Sequence, residues 1–175
     1  MIGTTLGAGK SASCTYDVTH TEAGTYGNTA SVTVEDNEKN PASDTATAEV
    51  TVTDVKPLVD LTKEVTPATL AEPGGVFHFT LTITNNSVEE VTITALTDTN
   101  ALSAECLALV DTTLAAGASA SCTYDVMHTE AGIYGNTANV VVEDNEGNTD
   151  DDTATAEVTV TDVLPEITVT KSADP

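Results

Sequence analysis

The chain has 175 residues, with 28 acidic side chains against 5 lysines and no arginine, for a formal net charge of −23. Such a polyanion repels nucleic-acid phosphates and anionic lipid heads, which excludes both as partners. No apolar run reaches the roughly 18 residues a membrane-spanning helix needs, so no membrane span is expected in this segment. Threonine supplies about one residue in five, and with valine it favours pleated, half-buried surfaces.

An internal repeat organises the sequence. Cys14-Thr15-Tyr16-Asp17-Val18 recurs as Cys122-Thr123-Tyr124-Asp125-Val126, an offset of 122 − 14 = 108. Residues 1–67 align on 109–175 without a gap, and 67 − 21 = 46 positions are identical. The domain organisation that follows is the rear of one repeat at 1–55, a complete repeat at 56–163, and the first strand of another at 164–175. Near identity between neighbours points to recent duplication and a longer array.

Predicted strands of the complete repeat follow in order. Val59 and Leu61 mark the first. Pro73-Gly74-Gly75 then signals a turn, and the second runs through 76–84, with Phe77, Phe79, Leu81 and Ile83 alternating with His78, Thr80, Thr82 and Thr84. Val91, Ile93 and Ala95 mark a third, and Cys122, Tyr124 and Val126 a fourth. Ala138, Val140 and Val142 mark a fifth. Ala154, Ala156, Val158 and Val160 mark the last. No helical period appears. Six or seven short strands in about 106 residues predict an all-β fold of antiparallel sandwiches, joined end to end through the short Thr161-Asp162-Val163-Leu164-Pro165 linker.

Leu61-Thr62-Lys63, Glu72-Pro73-Gly74-Gly75, the strand from Phe79 to Asn85, Leu114-Ala115-Ala116-Gly117 and Tyr134-Gly135-Asn136-Thr137-Ala138 resemble the conserved-repeat, immunoglobulin-like domains strung through large bacterial and archaeal surface proteins. The resemblance covers the whole chain. It implies tandem immunoglobulin-like sandwiches, an extracellular or cell-surface location, and modules of stalks, adhesins or envelope fibres. It also implies a disulfide between Cys106 and Cys122; reduced buried thiols are the alternative. The segment from Glu130 to Tyr134 resembles the approach to a tyrosine corner, which gives Tyr134 and Tyr26 a structural role.

Other candidate chemistry is sparse. The acidic loop bearing Asp144, Glu146, Asn148, Asp150 and Asp152 offers oxygen ligands to calcium, although its spacing departs from an EF-hand and Pro41, Ala42 and Ser43 interrupt the equivalent loop. A solvated hairpin turn is the competing reading. Lys63 shares inward parity with Val59 and Leu61; it either snorkels to the sandwich edge or forms an isopeptide bond to Asp162, with no inward acid evident to assist. Asn85-Asn86-Ser87 is a glycosylation sequon in a predicted turn. The three histidines fall in separate segments, and no nucleophile or phosphate-loop motif occurs, so no enzymatic activity is expected.

The expected function is a structural extracellular repeat protein forming a filament, stalk or surface fibre. An adhesin arm or ligand-binding module is the alternative. The expected partners are identical or neighbouring repeats, with strand donation between subunits as one variant.

Overall fold

The computed structural model describes residues 2–175 and divides into two compact units, Met1–Asp54 and Val55–Pro175. In the first, β1 (Gly24–Glu35) and β2 (Pro41–Val52) form a two-stranded antiparallel hairpin. In the second, the strands are β3 (Val59–Thr66), β4 (Thr69–Ala71), β5 (Gly75–Asn85), β6 (Val91–Asp98), β7 (Thr113–Leu114), β8 (Ser119–His128), β9 (Gly132–Glu143) and β10 (Thr149–Thr161). A single turn of helix, α1 (Ala104–Leu107), lies between β6 and β7.

The second unit is a sandwich of two sheets. One has the order β3-β5-β8 and the other β4-β10-β9-β6-β7. All pairings are antiparallel except β4 with β10, which is parallel. The period-two alternation explains the core: Val59, Leu61, Phe77, Phe79, Leu81, Ile83, Cys122 and Tyr124 from the first sheet meet Val91, Ile93, Leu96, Ala138, Val140, Val142, Ala154, Val158 and Val160 from the second. A fully buried side chain of this class contributes roughly 1.5–3 kcal/mol each.

The alternation breaks once. The register of β6 against β9 shifts between Ile93 and Ala95, a β-bulge with Thr94 as the extra residue. Val91 and Ile93 face the core before it; Leu96 does so after it. The bulge therefore reverses the parity of the second half of β6. Ala95, expected inward, gives way to Leu96, and Asp98 follows Leu96 to the interior.

Edge strand β3 is closed by side chains. Asp150 Oδ2 accepts from the Val59 amide at 2.8 Å, and Asp152 Oδ2 from the Leu61 amide at 2.7 Å. Two carboxylates of β10 thus occupy backbone donors that β5 leaves free, and they fix one side of the sandwich.

Identical residues have different surroundings in the first unit. Val32, Val34 and Val50 are more than half exposed, whereas their counterparts Val140, Val142 and Val158 are fully buried. The hairpin is present in both units, but among the described residues a facing sheet is built only in the second. The same reason leaves residues 14–18 without a strand, although β8 carries the same Cys-Thr-Tyr-Asp-Val run. The strand expected within 164–175 is likewise not formed: residues 162–175 are irregular and exposed, with no ladder partner.

Candidate functional site: a buried lysine, aspartate and asparagine

Four strands bring polar side chains together inside the sandwich. Lys63 on β3 stands opposite Leu81, and Tyr124 on β8 opposite Phe79. Asn136 lies on β9 and Asp98 closes β6. Neither the Lys63 nor the Asp98 side chain has any solvent exposure. Lys63 Nζ donates to Asp98 Oδ2 and, at 2.6 Å, to Asn136 Oδ1. Thr99 Oγ1 donates to the same amide oxygen at 2.7 Å.

The loop closes through a phenol. Tyr124 donates its hydroxyl to Asp98 Oδ2 at 2.7 Å and accepts from Asn136 Nδ2 at 3.0 Å. Asp98 Oδ1 accepts from the Asn100 amide at 2.8 Å. The Phe79 and Tyr124 rings stack at 5.3 Å, and Lys63 Nζ lies 5.3 and 5.5 Å from their centroids. These aromatic walls exclude water and leave the charges a low-dielectric setting. Among the described residues, no buried side-chain nitrogen or oxygen lacks a hydrogen-bond partner.

Burial lowers the Lys63 pKa from the ordinary lysine value, and the hydrogen bond and charge of Asp98 only partly oppose this. Burial also raises the Tyr124 pKa, reinforced by Asp98. The phenol therefore stays neutral, and the amine is held nearer its neutral form than a surface lysine.

This geometry corrects two readings of Lys63. Its side chain does not snorkel to an edge, because it ends on an internal acid. Nor does Asp162 partner it: Asp162 is exposed and follows the end of β10. The inward acid that parity concealed is Asp98, and the bulge exposes the reason. Asn136 had a legible signal, since it shares parity with Ala138, Val140 and Val142.

The sequon asparagine is also corrected. Asn85 is fully buried at the end of β5, and its Nδ2 donates to the carbonyls of Glu89, Leu114 and Ala115 at 2.8, 2.9 and 3.2 Å. Its Oδ1 accepts from the Ser87 amide. A side-chain amide so used staples the loop after β5 to the end of β7 and offers no surface nitrogen to a glycan.

The five oxygen ligands proposed for calcium do not converge. Asp144 turns into its own hairpin, where Oδ1 accepts from the Glu146 and Asn148 amides and Oδ2 from Asn148 Nδ2. Asp36 makes the same contacts with Glu38 and Asn40 in the first unit. Asp150 and Asp152 face β3, as described above. The loop is a capped turn between β9 and β10, with Gly147 at φ 86° providing its left-handed position.

Cys106 and Cys122 form a disulfide with a Cα–Cα separation of 5.0 Å. Helix α1 presents Cys106, and Ser103 caps that helix by accepting from the Cys106 amide. Tyr134 donates its hydroxyl to the Glu130 carbonyl at 2.8 Å while stacking on His128 at 3.8 Å. Tyr26 does the same with Glu22 and His20. These are tyrosine corners that pin the loop before β9 and before β1.

The second unit is a two-sheet β-sandwich, with the three-stranded sheet β3-β5-β8 facing the five-stranded sheet β4-β10-β9-β6-β7. Among solved structures, the chain is similar to the CARDB domain of a Pyrococcus furiosus protein, described in complex with di-metal ions. Identity there is 16%, over 63% of this chain and 98% of that one, with a TM-score of 0.38. No protein-family model matches the sequence, and no curated protein matches it.

Proposed function

We propose that this chain is a structural segment of an extracellular repeat protein, serving as part of a filament, stalk or surface fibre. The observation that carries this reading is the 108-residue repeat, with 46 of 67 aligned positions identical between copies. Duplication with so little divergence favours a role in which every copy does the same mechanical work. A disulfide-stapled sandwich suits an oxidising, exposed setting, and the acidic surface keeps such material dispersed. Its partners are neighbouring repeats of the same kind.

Electron microscopy of the native material tests the reading. A continuous fibre with an axial period of one or two domain lengths supports it. Single strings that end in a distinct head would make the chain the arm of an adhesin, with recognition placed elsewhere.

A further inference from the structure

We propose that Lys63 and Asn136 become joined by an intramolecular isopeptide bond, formed within the folded sandwich by transamidation with Asp98 as the acid–base group. Three conditions for that reaction meet here. A lysine nitrogen touches the carbonyl oxygen of a carboxamide at 2.6 Å, with no solvent exposure at the lysine side chain. A carboxylate accepts from the same nitrogen. A hydroxyl donor, Thr99, is already placed on the amide oxygen at 2.7 Å.

The reaction balances with these groups alone. Lys63 passes one proton to Asp98 and becomes a neutral amine, a step eased by its burial. Its lone pair attacks Asn136 Cγ. The Nζ–Cγ bond forms as the carbonyl electron pair moves to Oδ1, where the Thr99 hydroxyl stabilises the developing oxyanion. A second Nζ proton passes through Asp98 and the Tyr124 hydroxyl to Nδ2, the atom that already donates to that hydroxyl. The Cγ–Nδ2 bond then breaks, its electron pair leaving on ammonia, and the carbonyl re-forms. The remaining proton on Asp98 departs with the ammonia as ammonium. No oxidant, metal or activated co-reactant is needed. The fold supplies the proximity, holding the partners from facing sheets in contact while excluding the competing water.

The repeat offers an independent observation. Every counterpart of this cluster that falls within the chain is kept: 63 + 108 gives Lys171, 124 − 108 gives Tyr16, and 136 − 108 gives Asn28. Lys171 persists although its surroundings diverge, since Leu58, Val59, Asp60, Leu61, Glu64, Val65 and Thr66 all differ from their counterparts at 166–169 and 172–174. Tyr16 and Asn28 also stay in contact, with the bond reversed: Tyr16 donates to Asn28 Oδ1 at 2.9 Å, whereas Asn136 Nδ2 donates to Tyr124. A lysine needed only to fill space would tolerate the changes its neighbours have undergone.

The bond would tie β3 in one sheet to β9 in the other, 73 residues apart. A fibre under tension would then carry load through a covalent strut that reduction cannot open. This inference stands on the cluster itself and is independent of the proposed function.

Mass spectrometry of the intact, reduced and alkylated full chain tests it. The expected mass is lower than the sequence mass by one ammonia, and digestion yields a branched peptide linking Lys63 to Asn136. Lys63→Met and Asp98→Asn, each shown to be folded by circular dichroism, should have their full sequence masses. A full mass for the folded wild-type chain overturns the proposal. A loss of one water, with a branched peptide linking Lys63 to Asp98, overturns the assignment of Asn136 as acceptor. If both variants fail to fold, the wild-type mass and branched peptide still decide.

Discussion

Lys63 and Asp98 meet between the two sheets with neither side chain exposed, although they lie 35 residues apart on strands of different sheets. Removing one member of a buried pair leaves an uncompensated charge. Asp98→Ala is therefore expected to cost about 3–5 kcal/mol. Lys63→Met should cost less, because Asp98 keeps its bonds from the Tyr124 hydroxyl and the Asn100 amide. Urea denaturation of both variants beside the wild type checks the order.

Asn85 carries a different structural load. Asn85→Ala leaves three carbonyls, those of Glu89, Leu114 and Ala115, without their donor. The loss should be about 1–3 kcal/mol, the cost of leaving buried acceptors unsatisfied. Expression in a glycosylating host should leave the folded chain without a sugar on Asn85, read by peptide mass mapping.

The disulfide spans a sequence separation of 16 residues and ties α1 to β8. Its removal in Cys106→Ala/Cys122→Ala should cost about 3 kcal/mol by the loop-closure relation. Thermal unfolding of the double variant, compared with the wild type in the absence of reductant, measures this.

Gly74 sits at φ 72° in the turn between β4 and β5, and a Cβ there would overlap the carbonyl oxygen of His128. Gly74→Ala combines a strained backbone with a backbone clash, so it should destabilise by more than the ~1 kcal/mol that a compatible glycine-to-alanine change gains. Gly135→Ala, with open space at its Cβ position, is the matched control and should change the thermal midpoint far less.

Acid sensitivity follows from the hairpin carboxylate. Burial alone would raise the Asp144 pKa, but the bonds from Asn148, Glu146 and Gly147 together outweigh it and lower the pKa below 3.8. The folded state then binds the proton less readily than the unfolded chain. The stabilisation is present above 3.8 and is lost as pH falls through the lowered folded value. Glu72, lowered from 4.5 by the Val163 and Ala131 amides, acts in the same sense. Thermal midpoints measured down a pH series should fall in this window, and Asp144→Asn should flatten part of the fall.

Much of this architecture was legible from local pattern. Phe77, Phe79, Leu81 and Ile83 predicted β5 because a strand exposes alternate residues to opposite faces. Pro73, Gly74 and Gly75 marked the turn ahead of it because only special backbone angles reverse a chain so tightly. Lys63 was placed inward by the same alternation, and Asn136 shared the parity of Ala138. Neither residue's partner could be read, because pairing across facing sheets depends on register, which strand periodicity does not encode.

The remaining decisions were tertiary. Asp98 faces the core only because a bulge at Thr94 reverses the parity of β6, and that extra residue is defined by its ladder with β9. Asn85 lies in a turn sequon, yet the carbonyls of nearby Glu89 and of Leu114 and Ala115 at the end of β7 draw it inside. Asp150 and Asp152 read as ion ligands, yet they bind the free amides of β3. Val140 and Val32 share one sequence context, but only Val140 has a sheet to pack against. The chain by itself determined which residues alternate and where they turn; the folded sandwich decided which faces meet, because burial and hydrogen bonding belong to pairs of strands and not to either strand alone.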